Sequence, residues 1–196
     1  MDFRNSQTKI NLMRAFAGES QARNRYTFAA GVALKQKQHM IADVFYFTAN
    51  QEKEHALIFY NHLKVCEGEN IDIEAGYPLD NSDDLATLLK RAHHNEYQEY
   101  EKEYMNFADV ATNEGFHKIA QDFTNIARIE KIHGDRFEKL RQMLENNELY
   151  TSPSTTRWAC LNCGFIYEGT QVPEICPVCS HDQGYFIREC FAPFTK

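Results

Sequence analysis

The sequence predicts a mainly α protein, a four-helix bundle followed by a small module stapled by metal. Three observations lead there. Apolar residues recur at helical spacing through long, almost proline-free segments before residue 148. Those segments repeat themselves. Four of the six cysteines fall in two C-x-x-C pairs after a Ser/Thr/Pro stretch, ELYTSPSTT.

The expected helices cover residues 6–36, 38–66, 83–113 and 117–146. Short breaks between the first and second, and between the third and fourth, imply antiparallel hairpins. The longer break, Gly68 followed by NIDIEAGYPLDNS, suits a crossover along the bundle. Asn81, Ser82 or Asp83 is placed to cap the third helix. The expected domains are a bundle over 1–147, a linker over 148–156 and a metal-binding module over 157–196.

Two matches reveal a duplication. ANQEKEHALIF at 49–59 and ARIEKIHGDRF at 127–137 share A-x-x-E-K-x-H-x-x-x-F at an offset of 78. LMRAFAGE at 12–19 and LKRAHHNE at 89–96 share L-x-R-A-x-x-x-E at an offset of 77. Two matches at nearly one offset point to a duplicated helical hairpin.

The core-facing stripes carry charge. In the second helix the stripe Ile41, Phe45, Thr48, Phe59, Leu63 is interrupted by Glu52 and His55. In the fourth, Glu130 and His133 interrupt Ile119, Phe123, Ile126, Phe137, Leu140, Leu144. Glu19 lies on the stripe of the first helix. Glu96, Glu99 and Glu103 continue the row Leu85, Leu89, Ala92 of the third, towards Phe107. An unpaired charge in a core costs several kcal/mol or is neutralised, so something must compensate. A lone glutamate or histidine on such a stripe is ordinarily a boundary or hydrogen-bonded structural residue. Two Glu-x-x-His pairs related by a repeat, with one carboxylate on each remaining helix, instead match the known ligand pattern of ferritin-like di-iron bundles. Oxygen-rich donors with one imidazole per metal suit iron or manganese better than zinc.

Glu99 breaks the symmetry, since its duplicate position is Ala22. It is a surplus ligand, or a residue outside the ligand set. Glu103 is left out of the site. Glu54, Glu101 and Glu114 fall off the stripes and are expected to be solvated. His62 is placed just outside the ligands. His39, His93, His94 and His117 are expected at the surface or its boundary.

In the tail, Cys160, Cys163, Cys176 and Cys179 form two knuckles able to build a tetrahedral four-thiolate site. Spacing alone favours zinc over iron. Trp158, Tyr167 and Phe186 are the expected small core. His181 is a weak spare-ligand candidate, and Cys66 and Cys190 are expected to be ordinary thiols.

The net charge of −7 argues against a nucleic-acid partner, which would want a basic surface. No apolar run reaches the length of a membrane span. The opening MDFRNSQTKINLM lacks the order of a signal peptide, so the expected location is the cytoplasm. There, six cysteines suggest metal ligands or thiols before disulfides.

FAGESQARNRY, EKEH, NEYQEYEKEY and EKIH, followed by knuckles separated by 12 residues, resemble the rubrerythrin family over the whole chain. The resemblance implies a ferritin-like bundle with a C-terminal rubredoxin-like domain. It implies two irons in the bundle and one in an Fe(Cys)4 centre, overriding zinc. It implies reduction of hydrogen peroxide to water, with electrons passing through the Fe(Cys)4 centre from a rubredoxin or a reductase. Carried over, Glu52 and Glu130 bridge the irons, Glu19 binds one, and Glu96 and His133 bind the other. His55 and Glu99 alternate on the first iron with redox state. Tyr26 and Tyr104 donate hydrogen bonds to the ligands. Two rival readings are a ferroxidase that handles iron and a zinc-ribbon scaffold protein.

Geometry adds an expectation about assembly. Glu130 lies 17 residues before Asn147, or about 26 Å along a helix. The tail must therefore either fold back along its own bundle or serve a partner's. The resemblance and the prevalence of two-fold dimers favour a head-to-tail homodimer.

Overall fold

The computed structural model describes residues 2–192; the last four residues of the expected 157–196 module lie outside them. Helix α1 (Gln7–Lys35) is followed by α2 (His39–His62). A long connection leads to α3 (Leu85–Gln98), a π-helical turn (Glu99–Glu103) and α4 (Tyr104–Asn113). Helix α5 (His117–Glu145) closes the bundle. Ser6 caps α1 by accepting from Lys9 N. Asp84, rather than one of the three residues before it, caps α3 by accepting from Thr87 N at 2.8 Å.

The duplication is visible in three dimensions. Two residues past α1, Lys37 has φ 58°, and two residues past α4, Gly115 has φ 87°. The next residue returns its N–H to a helix carbonyl in each copy: Gln38 to Ala33 at 2.9 Å, Phe116 to Ala111 at 2.8 Å. All three pairs are 78 apart. The buried aromatic residues obey the same offset. Tyr26, Phe45 and Phe137 pack with ring centroids 5.1–6.0 Å apart. Their duplicates Tyr104, Phe123 and Phe59 pack at 4.9–5.9 Å.

The expected single third helix is corrected by the π turn. The offset is 77 from Glu19 to Glu96 but 78 from Tyr26 to Tyr104, so the second copy holds one extra residue between those positions. An α-helix absorbs one residue by widening a single turn to i→i+5 bonding. Downstream, the buried face moves by one position. Tyr104, Ala108 and Ala111 are buried, whereas Glu103 is exposed and Phe107 only half-buried.

Residues 67–84 form the crossover and run along α1. Tyr77 donates to the Arg14 carbonyl at 2.9 Å, and Arg25 pairs with Asp80 at 2.5 Å. Glu114, expected to be solvated, instead accepts from Gln7 N (2.9 Å), Thr8 N (2.8 Å) and Thr8 Oγ1 (2.5 Å). It satisfies N–H groups that the first turn of α1 cannot bond internally.

The tail is a three-stranded antiparallel sheet in the order β2-β1-β3, with β1 Thr151–Cys160, β2 Ile166–Gln171 and β3 Phe186–Arg188. Most of the expected linker 148–156 is thus strand. Thr151 pairs with Gln171 and Thr156 with Gly169, and the register slips between them, around Pro153. A residue without an N–H is tolerated at such an irregularity.

Strand alternation docks the tail on its own bundle. Trp158 and Cys160 point into the tail's small core with Val172, Cys176 and Phe186. Ala159, between them, joins Ile187 and Leu149 in the bundle's core. The contact lies at the α1–α2 turn. Tyr185 stacks on His39 with centroids 3.8 Å apart, and Tyr150 Oη donates to Gln38 Oε1 at 2.5 Å. Gly184 approaches so closely that a Cβ there would stand 1.9 Å from the Lys37 carbonyl oxygen. Among the described residues no helix is long and apolar enough to cross a membrane.

Candidate metal centres

Glu52 and His55 are one helical turn apart on α2, as Glu130 and His133 are on α5, so each pair leaves its helix on the inward face. Glu19 from α1 and Glu96 from α3 approach from the other two sides. All six residues are buried, with exposures between 0% and 5%. They fall into two sets whose donor atoms lie within 4.8 Å of one another: Glu19, Glu52, His55, Glu130, and Glu52, Glu96, Glu130, His133. Glu52 and Glu130 are common to both. The cluster sits mid-bundle, between the two groups of aromatic rings.

The donors converge on the bundle's centre, with His55 Nδ1 and Glu52 Oε2 hydrogen-bonded to each other. His55 Nδ1 lies 3.0 Å from Glu52 Oε2 and from Glu130 Oε1. His133 Nδ1 lies 3.0 Å from Glu52 Oε1 and 2.9 Å from Glu130 Oε2. These are hydrogen-bond distances, yet Glu19 Oε2, Glu52 Oε1, both Glu130 oxygens and His133 Nδ1 have no aligned hydrogen-bond partner. Buried oxygens aimed at a common point, without donors between them, fit a cation. So does the charge, since four carboxylates balance two divalent ions.

Left to protons alone, the cluster is poorly balanced. Burial pushes Glu19 and Glu96 well above the usual carboxylate range, reinforced by the charges of Glu130 and Glu52 respectively. Burial also acts against ionising Glu52, but its contacts with His133 and His55 bring it down to about 2. Burial opposes charge on His133, yet Glu130 and Glu52 push it up to about 9, and His55 is raised further still by Glu130, Glu19 and Glu52.

Two tyrosines cross the duplication. Tyr104 Oη donates to Glu19 Oε1 at 2.5 Å, and Tyr26 Oη donates to Glu96 Oε1. Each copy's tyrosine therefore orients the other copy's carboxylate.

Glu99 belongs to neither donor set. It stands in the π turn and lines a cleft of about 350 Å³ between α1 and that turn, with Gly18, Gln21, Tyr77 and Glu103. Burial, then the charges of Glu19 and Glu130, raises its pKa, so it lies within the cluster's field. His62, expected beside the ligands, instead pairs with Asp122 at 2.8 Å. A ligand's neighbour that the stripes could not reveal is Gln51, whose Oε1 lies 3.1 Å from His133 Nε2. Its contact spans 82 residues of sequence, and a glutamine at the edge of a stripe gives no local signal.

In the tail, Cys160, Cys163, Cys176 and Cys179 bring their sulfurs within 4.8 Å of one another. Cys160 Sγ is 3.8 Å from Cys179 Sγ, and Cys163 Sγ is 3.8 Å from Cys176 Sγ. A tetrahedron with metal–sulfur distances of about 2.3 Å has edges of about 3.8 Å. The thiols are free. The His181 N–H and nearby hydrogen bonds bring Cys179 down to about 6 despite desolvation, while burial pushes Cys160 up to about 12. His181 Nδ1 lies 3.0 Å from the Cys179 carbonyl oxygen and is not among the converging donors.

The rubrerythrin profile matches residues 11–141 of this chain, and that of the rubrerythrin rubredoxin-like domain matches residues 158–187. The chain belongs to the rubrerythrin family. Rubrerythrin of Clostridium perfringens is 43% identical over 182 residues, covering 92% of this chain and 93% of that one. Rubrerythrin of Nitratidesulfovibrio vulgaris is 39% identical over 181 residues, covering 92% and 93%. A structure of nigerythrin in its fully reduced, all-ferrous state superposes with a TM-score of 0.63 at 26% identity, covering 95% of this chain and 91% of that one. In this chain the bundle cluster fits a di-iron centre, and the four cysteines fit a rubredoxin-type iron. The family makes it a di-iron protein with a rubredoxin-like domain, of oxidoreductase type.

Proposed function

We propose that the protein is a non-haem di-iron peroxidase that reduces hydrogen peroxide to water in the cytoplasm and so protects against oxidative stress. Electrons enter through the Fe(Cys)4 centre from a redox donor protein, a rubredoxin or a reductase. The observation that carries this reading is the pairing, in one chain, of a buried cluster fit for two cations with a four-thiolate site. Bound there, two ferrous irons would supply together the two electrons that convert H2O2 and two protons to two waters, and an iron in the four-thiolate site would return electrons one at a time.

The chain's residues divide the work. Glu52 and Glu130, common to both donor sets, would be shared by the two metals. Glu19 would hold one metal; Glu96 and His133 would hold the other. Four carboxylates offset two ferrous ions, but a ferric pair carries two further positive charges. Glu99, at the cluster's edge, would replace His55 as the ligand to an oxidised iron, because a carboxylate would offset part of that charge. Tyr26 and Tyr104 keep Glu96 and Glu19 oriented. The aromatic groups on either side keep bulk water from the reacting centre.

Electron entry calls for a second copy. The tail docks at His39, and Glu52 lies 13 residues further along α2, or about 20 Å. A head-to-tail homodimer brings each tail beside its partner's cluster.

Peroxide added to the anaerobically reduced protein should oxidise the bundle irons faster than dioxygen does, and a rubredoxin-type donor should restore them. An iron-loaded sample that peroxide leaves reduced would end this reading. Faster oxidation by dioxygen with accumulation of many irons would favour the ferroxidase. Elemental analysis should find about three irons per chain; zinc in every site would favour the scaffold.

A further inference from the structure

His55 and His133 are duplicates 78 residues apart, but the chain holds them unequally. His133 Nε2 lies 3.1 Å from Gln51 Oε1. Arg136 donates to that same oxygen at 3.4 Å and to Thr48 Oγ1 at 3.0 Å. A guanidinium only donates, so Arg136 selects the oxygen of Gln51, not its amide nitrogen, for this position. Facing that oxygen, His133 Nε2 must be the N–H, which turns Nδ1 towards the cluster.

The other half lacks this device. At the 78-residue offset, Gln51, Thr48 and Arg136 correspond to Ile129, Ile126 and Ile58. None of the three isoleucines has a side-chain donor or acceptor. The polar contacts of His55 run through Nδ1 to Glu52, Glu19 and Glu130.

We propose that Gln51, oriented by Arg136, is a positioning residue for His133, and that it makes the bundle's two metal positions unequal, with the His133 side held more tightly. A hydrogen-bond acceptor on the outer nitrogen of a ligating imidazole fixes its tautomer and raises its basicity. The inference rests on the metal-binding reading of the cluster and not on its peroxide chemistry.

Anaerobic ferrous titration against a competing chelator tests it, with the four-cysteine site as an internal reference. Wild type should show two distinct bundle affinities. Gln51→Leu should weaken the tighter by roughly ten- to hundredfold and leave the weaker and the cysteine site unchanged. Gln51→Glu, which still accepts, should retain the tighter affinity. In zinc-loaded protein, nitrogen NMR should show a protected His133 Nε2–H that Gln51→Leu loses. Should Gln51→Leu fail to fold, Arg136→Met, which removes only the orienting donor, must still weaken the tighter site. Two equal affinities in wild type, no change in Gln51→Leu or in Arg136→Met, or an equal loss at both positions would overturn the proposal. A wild type that binds two unequal metals yet ignores peroxide would defeat the peroxidase reading and leave this one standing.

Discussion

If electrons cross between subunits, two inactive variants should repair each other. Cys176→Ser empties the thiolate site but keeps the bundle cluster; Glu52→Ala removes a carboxylate common to both donor sets but keeps the tail. Each homodimer should lack steady-state turnover. The tail is pinned at the α1–α2 turn by the Tyr185–His39 stack and by the close approach of Gly184 to Lys37. Its docking point at His39 is thus about 20 Å along α2 from Glu52 of its own cluster. In a mixed two-fold dimer, the intact tail of the Glu52→Ala subunit faces the intact cluster of the Cys176→Ser subunit. Random exchange of equal amounts makes about half the dimers mixed, each with one working site of two. Turnover should therefore recover to about one quarter of wild type per chain. The assay is peroxide-dependent oxidation of a rubredoxin-type donor after subunit exchange, with mixed dimers verified by mass. No recovery in verified mixed dimers, or full activity in a demonstrated monomer, would refute the trans path.

Further outcomes follow from single side chains. If His55 holds the di-ferrous position as proposed, Glu99→Ala should leave the di-ferrous state assembled and should impair the di-ferric state; unchanged iron occupancy and turnover would place Glu99 outside the ligands. Glu114→Ala should cost about 0.5–2 kcal/mol in thermal unfolding, the usual range for losing a side-chain helix cap. Burial works against ionising Glu114, but hydrogen bonds from Thr8 and Gln7 hold its pKa below the usual value. Its contribution should thus be present above about pH 4.5 and lost as pH falls through the lower folded value. An equal deficit at pH 7 and pH 3 would show that the carboxylate's charge plays no part.

What could be read from the chain was local or repeated. Glu52 and His55, like Glu130 and His133, were legible because i, i+3 spacing puts two side chains on one helix face, and a charge on a core stripe needs a cause. The two knuckles were legible because four thiolates at that spacing have few other uses. The π turn had a faint signature, the change of offset from 77 to 78 between Glu96 and Tyr104. It was missed because apolar periodicity can continue past a widened turn on the wrong row, as Glu103 and Phe107 did.

The sequence by itself therefore determined the bundle, its duplication, the two donor clusters and the family they belong to, since each is written in spacing along the chain. Only the tertiary structure decided that Gln51 reaches His133, that Glu114 caps α1 and that residues 151–156 are strand. It also decided that the tail sits on the bundle's end instead of along its side. Each of these depends on how two distant segments are rotated and docked against each other. That is set by the packing of whole faces, such as Ala159 and Ile187 against the bundle core, and not by the residues near any one of them in sequence.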